Sequence, residues 1–210
     1  MKYLLIISCL LFTFVGCNKT KTINSDDLEE REGLYYEKSM DKPFTGKVTG
    51  ELQGKISKGK LEGEWLGYYD SGQLYVKNNY KDGALEGEWL YYENGQLAYK
   101  KNYKDSKLEG EWLEYHENGQ LHYKGKYKDD GLEGEWLEYY ENGQLRRKDN
   151  YKDDKEEGEQ LGYYKNGQVW IKSNYKDGKE DGEQLEYNEN GQLLKTKIYK
   201  DGKLIETIKP

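Results

Sequence analysis

The chain has 210 residues and a net charge of −7, from 33 Lys and Arg against 40 Asp and Glu. Apolar residues make up 34% and charged ones 35%, which argues against a large conventional core, while 22 Tyr and 5 Trp argue against simple disorder. The acidic balance disfavours nucleic acid as a partner, and two Cys with two His offer neither a disulfide framework nor a metal cluster.

In chain order, Lys2 is followed by an apolar run from Tyr3 to Val15, then Gly16 and Cys17. A positive start, a short apolar stretch and a small residue before the cut describe a secretory signal that is too short to span a bilayer comfortably. Phe14-Val15-Gly16-Cys17 resembles the lipobox of bacterial lipoproteins, with Phe14 where Leu is usual. That resemblance implies a signal peptide over 1–16 and lipidation of Cys17. The address would be the cell envelope, with membrane attachment through the lipid alone. Residues 17–32 are polar, without apolar period, and read as a flexible tether. Residues 33–60 read as a degenerate N-terminal repeat or cap.

A repeat fills 61–203. Glu-Trp-Leu recurs at 64–66, 88–90, 111–113 and 135–137, and Glu-Gln-Leu replaces it at 159–161 and 183–185. Six units follow: 61–84, 85–107, 108–131, 132–155, 156–179 and 180–203. The second is one residue short, between Trp89 and Gly95. Each unit carries two turn signals. One is Asn-Gly or Ser-Gly, with its glycine at Gly72, Gly95, Gly119, Gly143, Gly167 and Gly191. The other is Asp-Gly, at 82–83, 177–178 and 201–202, with Asp-Ser or Asp-Asp between. Both suit two-residue type I′ hairpins, so each unit supplies two strands. The fold class is therefore all-β: an elongated antiparallel meander of tandem 23–24-residue hairpins.

Register can be tested on paper. With Asn142-Gly143 at a two-residue tip, Tyr140 faces Leu145, Glu138 faces Arg147, Trp136 faces Asp149 and Gly134 faces Tyr151. The same rule pairs Gly110 with Tyr127, Gly158 with Tyr175 and Gly182 with Tyr199, each a strand glycine under an aromatic ring. The short second unit breaks the rule, and a β-bulge present in one class of unit and absent from the other would absorb the difference. Residues 204–210 add a final edge strand and tail, blunted by Lys209-Pro210.

The unit Leu-Glu-Gly-Glu-Trp-Leu-Glu-Tyr-Tyr-Glu-Asn-Gly-Gln-Leu at 132–145, with Tyr-Lys-Asp-Gly-Lys at 175–179, resembles the MORN repeat variant of bacterial proteins. The resemblance covers about residues 33 to 203. It implies β-hairpin repeats and a binding or scaffolding role, and many relatives of the YwqK type carry an antitoxin label. A secreted chain has no use for a cytoplasmic antitoxin role.

Trp65, Trp89, Trp112 and Trp136 form a candidate binding stripe, with sheet packing as the plainer role. Gln160 and Gln184 end the stripe. The repeated carboxylates lack the spacing of a calcium loop. His116 and His122 occupy Tyr-type positions without further ligands for zinc. No nucleophile, phosphate-loop or dinucleotide motif appears. The expectation is a non-catalytic module with no cofactor and no metal. Its partner would be an unidentified protein, with a glycan bound through the Trp and Tyr stripe, or an immunity role, as the alternatives.

Overall fold

A computed structural model describes residues 20–209. The expected signal peptide over 1–16, the expected lipidation site Cys17 and Pro210 lie outside the described residues.

The repeats form one continuous β-sheet, counted as 21 strands because each later unit opens with a strand broken by a bulge. From the hairpin of Gly46–Thr49 and Leu52–Ser57 to the last strand, Lys203–Ile208, every neighbour is antiparallel and next in sequence. The only helical element among the described residues is a 3-10 turn, Ser25–Asp27. The expected meander is what the chain forms.

Pairing within units follows the predicted register over most of its length. Gly134 pairs with Tyr151, Trp136 with Asp149 and Glu138 with Arg147. Near the tip it departs: Leu145 pairs with Tyr139 instead of Tyr140, and Arg146 is bulged out. The Asn-Gly loop is longer than expected. Tyr140 N donates to Gln144 O (2.8 Å) and Gly143 N to Tyr140 O (2.8 Å), leaving three loop residues. Gly143 takes the left-handed conformation (φ 80°), Asn142 does not, and the Asn142 Oδ1 accepts from Gln144 N (3.1 Å). This is a type I turn closed by a left-handed glycine, which suits Asn-Gly as well as a type I′ turn does.

The second unit uses the two-residue form instead. Asn94 (φ 50°) and Gly95 (φ 80°) are both left-handed and Glu93 pairs with Gln96. Its bulge at Ala98 is equivalent to that at Arg146. The missing residue is therefore absorbed in the turn, while the bulge that was expected to distinguish the two classes is shared by both. The Asp-initiated turns are two-residue type I′ throughout, as at Asp177 (φ 51°) and Gly178 (φ 79°), or Asp153 (φ 48°) and Asp154 (φ 66°).

The predicted aromatic cover over Gly134 is also corrected. A methyl group there would meet nothing within 4 Å. The glycine is needed for its φ of 72°, at a bulge where Glu133 N donates to Lys126 O (3.0 Å).

Residues 20–32 are not a tether. Thr22–Asn24 runs parallel to Gly46–Thr49 at the sheet edge, and Leu28–Arg31 pairs with Leu34–Glu37 in a separate hairpin. Two apolar side chains anchor the polar segment: Ile23 is buried, and Leu28 packs against the same cluster. The buried core lies here, at Ile23, Phe44, Val48, Ile56 and Trp65, with Tyr35 and Tyr80 against it. The N-terminal segment thus joins a cap, built from residues 20–44, to a hairpin of the sheet itself, Gly46–Thr49 with Leu52–Ser57.

Candidate functional site

Alternation along the strands gives the sheet two faces, and they differ in how strictly they repeat. Paired residues share a face. One face carries Glu64–Asn79, Leu66–Lys77 and Tyr68–Leu74 in the first unit. Its equivalents barely change: Glu at 64, 88, 111, 135, 159 and 183; Leu at 66, 90, 113, 137, 161 and 185; Tyr at 68, 92, 115, 139, 163 and 187. Lys77–Glu64, Lys100–Glu88, Lys124–Glu111, Lys148–Glu135 and Lys172–Glu159 ion pairs run along it. The Glu64 neighbour lifts the Lys77 ammonium pKa, chiefly through their hydrogen bond. We call this the ladder face.

Each Asp-initiated turn is stitched back to the opening strand of its own unit. The amides of Asp129 and Asp153 donate to Glu109 and Glu133 carboxylates (3.0 and 3.2 Å), and the other units repeat the contact. These Glu residues, which precede the bulge glycines, are turn acceptors rather than cation ligands. At the other end of the strands, Tyr140 and Tyr164 hydroxyls donate to carbonyls of the next unit, Tyr163 (2.7 Å) and Tyr187 (2.9 Å). His116 stands in a Tyr position and its Nε2 makes the same contact, to Tyr139 O (3.0 Å). Its occurrence in one unit is thus a substitution within a structural row. No group of His, Cys, Asp and Glu suited to a metal exists among the described residues.

The opposite face holds the bulge glycines and the constant Tyr row (80, 103, 127, 151, 175, 199), but most of what lies between them changes, and the Trp row gives way to Gln at 160 and 184. The Trp row packs on the preceding hairpin, and its members differ in fate. Trp65 is only 6% exposed and its Nε1 donates to Lys55 O (3.2 Å). It belongs to the core and is removed from the candidate stripe. Trp89 stacks on Tyr91 (5.9 Å) with the Lys101 ammonium 5.0 Å above it. Trp112 and Trp136 meet at 5.3 Å, and Trp136 lies flat over Gly125, where a methyl group would occupy the indole. These three are half-buried. Trp112 and Trp136 touch, and Trp89 contacts neither ring.

Sequence reasoning missed a second row on this face, the bulged residues three after each turn glycine: Tyr75, Ala98, His122, Arg146, Trp170 and Leu194. Across from them, two residues beyond the Trp positions, stand Gly67, Tyr91, Glu114, Glu138, Gly162 and Glu186. The two rows match in pairs. Tyr75 and Trp170 lie down over Gly67 and Gly162, where any Cβ would clash with the ring. His122 Nδ1 sits 3.1 Å from Glu114, and Arg146 Nη1 donates to Glu138 (2.6 Å). The signal was present in the chain as the most variable positions of an otherwise constant unit.

The centre of this face is densely aromatic and polar. His122 stacks on His116 (4.0 Å), and the Tyr123 hydroxyl donates to Glu138 (2.9 Å). Burial, with the Glu138 hydrogen bond behind it, pushes the Tyr123 phenol up to about 12. Further along, Arg147 donates to Asp149 (2.8 Å), whose carboxyl burial raises above its usual range despite that partner. The arrangement brings Trp, Tyr, Arg and His side chains onto one half-exposed surface. It assembles no nucleophile with a base.

No curated protein sequence matches the chain. The MORN repeat variant matches at residues 61–82, 85–105, 108–129, 132–153, 156–177 and 180–201. Those six stretches coincide with the six hairpin units and cover most of the chain. The protein belongs to the MORN repeat family, in its variant form.

Proposed function

We propose that the chain is a non-catalytic binding module whose variable face, from Trp89 to Trp170, engages a partner protein. MORN repeats in general mediate protein or membrane binding. The observation that carries the reading is the contrast between the faces. A row that only packs has no reason to change from unit to unit, as the ladder face illustrates. The other face varies its Tyr, His, Arg and Trp along the array, and Trp, Tyr and Arg are the residues that dominate protein interfaces. A membrane surface is the poorer fit, because anionic headgroups attract clustered Lys and Arg and this chain carries −7.

The envelope location belongs to this proposal and rests on the Phe14-Val15-Gly16-Cys17 pattern. A lipid on Cys17 would tether a sheet whose own surface needs no membrane affinity. The test places a photo-crosslinking residue at Arg146 on the variable face or at Lys172 on the ladder face of the full chain, in intact cells. Specific adducts from position 146 and none from 172 support the reading. Adducts from both positions alike, or from neither, remove it. Cys17→Ser should release the chain from the membrane fraction, and continued retention would refute the lipid anchor.

A further inference from the structure

The change from Trp to Gln opens a recess in the last units that the middle units fill. Trp136 covers Gly125 with its indole. At the corresponding places Gln160 and Gln184 are 5% and 8% exposed, beside an equally buried Ser173. Between them and the next strand lies a cavity of about 220 Å³, whose lining includes Glu138, Arg146, Arg147, Gln160, Trp170 and Gln184. Pockets for drug-sized ligands begin near ~300 Å³, so this one suits a single ring.

Its chemistry is balanced. Arg146 is paired with Glu138 and Arg147 with Asp149, so neither charge sign is in excess. The two Gln side chains are fixed in the floor. Gln160 accepts from Arg147 Nη2 (3.2 Å) and donates to Glu156 (3.1 Å). Gln184 donates to Glu180 (2.9 Å) and Ser173 Oγ (3.4 Å), and accepts from Lys197 (3.2 Å). Donors and acceptors therefore alternate around the recess. At its rim Trp170 lies over Gly162 and remains 40% exposed. An anion would meet Glu138, and a cation would meet the two Arg side chains. A ligand with hydroxyl groups both gives and receives hydrogen bonds, and the C–H side of a sugar ring stacks on an indole.

We propose that this recess is a subsite for one neutral sugar ring, stacked on Trp170 and held at its hydroxyls by Arg146 and Glu138 above the Gln-lined floor. The proposal rests on the variable face being the ligand face, and it names a different ligand for that face's last units.

The test is calorimetric titration of the full chain with neutral hexasaccharides: β- and α-linked glucose oligomers and β-linked N-acetylglucosamine oligomers. At least one should bind saturably. Trp170→Ala should then weaken binding at least tenfold, and Gln160→Trp, which restores the ring of the earlier units and fills the recess, should abolish it. Trp112→Ala should leave the affinity within twofold. Arg146→Ala, at a half-exposed side chain that the sheet does not need, should cost about fivefold and guards against a misfolded Trp170 variant. No saturable heat with any of the three, or affinity unchanged in both Trp170→Ala and Arg146→Ala, overturns the subsite. So does an acidic or basic peptide that binds through Trp170 where no sugar does. Crosslinking from position 146 to a protein partner judges the protein-binding reading separately, and survives the loss of the sugar.

Discussion

The two ends of the sheet are built differently. At the N-terminal end a parallel strand closes the edge and a hairpin folds over one face, so that Ile56 is fully buried and Val48 nearly so. At the C-terminal end the last strand is bare: Leu204, Ile205 and Ile208 are 52%, 65% and 47% exposed. A bulge at Ile205 and the charges of Lys203, Glu206 and Lys209 work against pairing of that edge with another strand. The difference shows that the ladder does not need a core along its length. Cross-strand Glu–Lys pairs and the stitched turns hold each unit, and the strand ladder with the Tyr and His contacts to the next unit's carbonyls carries it on its neighbour, in the manner of a one-dimensional array. The cap supplies the one cluster that resembles a globular interior.

The largest effect expected from this contrast comes from emptying the cap. Ile56→Ala should destabilise the chain by about 2–5 kcal/mol, as buried large-to-small changes do. Ile205→Ala at the open end should stay within about 0.5 kcal/mol. Urea unfolding followed by circular dichroism compares them, and equal losses at both ends would refute the asymmetry. In the middle of the array, Gly125→Ala forces the Trp136 indole off the sheet and should cost about 1–3 kcal/mol. Gly134→Ala meets open space but must hold a left-handed backbone, at a cost of about 1–2 kcal/mol. An identical effect on the Trp fluorescence of both variants would count against this division, since only the first touches the ring.

Alkali should act on the array body rather than the open end. Burial holds Tyr123 and Tyr175 near 12, above the value of 10.0 for a free phenol. A raised folded-state pKa means that the neutral form is favoured by the fold. That stability is fully present below pH 10 and is lost as pH rises through 12. Phenolate absorbance and loss of sheet signal should therefore rise together across this interval. Ionisation of all tyrosines near 10 with the sheet intact would contradict it.

Much of the repeat body was legible in the sequence, because its residues recur where one physical need recurs. Asp-Gly, Asp-Ser and Asp-Asp steps all become type I′ turns, and the Gly134–Tyr151 to Glu138–Arg147 register follows from counting back from a tip. The loop length at Asn142-Gly143 was not legible, since that dipeptide satisfies both a two-residue and a three-residue loop. The short second unit was the clue, and it marks the unit whose turn differs. Residues 20–32 read as a tether because only Ile23 and Leu28 break a polar run, and their value lies in contacts with Val48 and Trp65 far along the chain. Three of the four stripe positions, Trp89, Trp112 and Trp136, stay half-exposed on the face, whereas the cap buries Trp65. The bulged row with Arg146 and Trp170 escaped because strict alternation assigns such residues to the other face, and only the bulge turns them over.

The smallest expected effect tests the Asp-initiated turns that close each unit, where neither end's solution applies. Three of the Asp-initiated turns place a side chain in the left-handed second position: Ser106, Asp130 and Asp154. Each uses it to accept from the amide that opens its own unit, as Asp154 Oδ1 does from Leu132 N (2.8 Å). Gly83, Gly178 and Gly202 fill the same place without that bond. The two choices are near equivalents: glycine relieves backbone strain, and the carboxylate gains a hydrogen bond of about 1 kcal/mol. Asp154→Gly should therefore leave stability within about 0.5 kcal/mol. Asp154→Ala keeps the strain and loses the bond, so it should cost about 1–2 kcal/mol. If both variants lose the same amount in urea titration, the bond to Leu132 is what holds that turn and the backbone contributes nothing. A loss in neither would mean that the Leu132 carbonyl, which accepts from Asp154 N (3.1 Å), already suffices to hold the turn against the start of its unit.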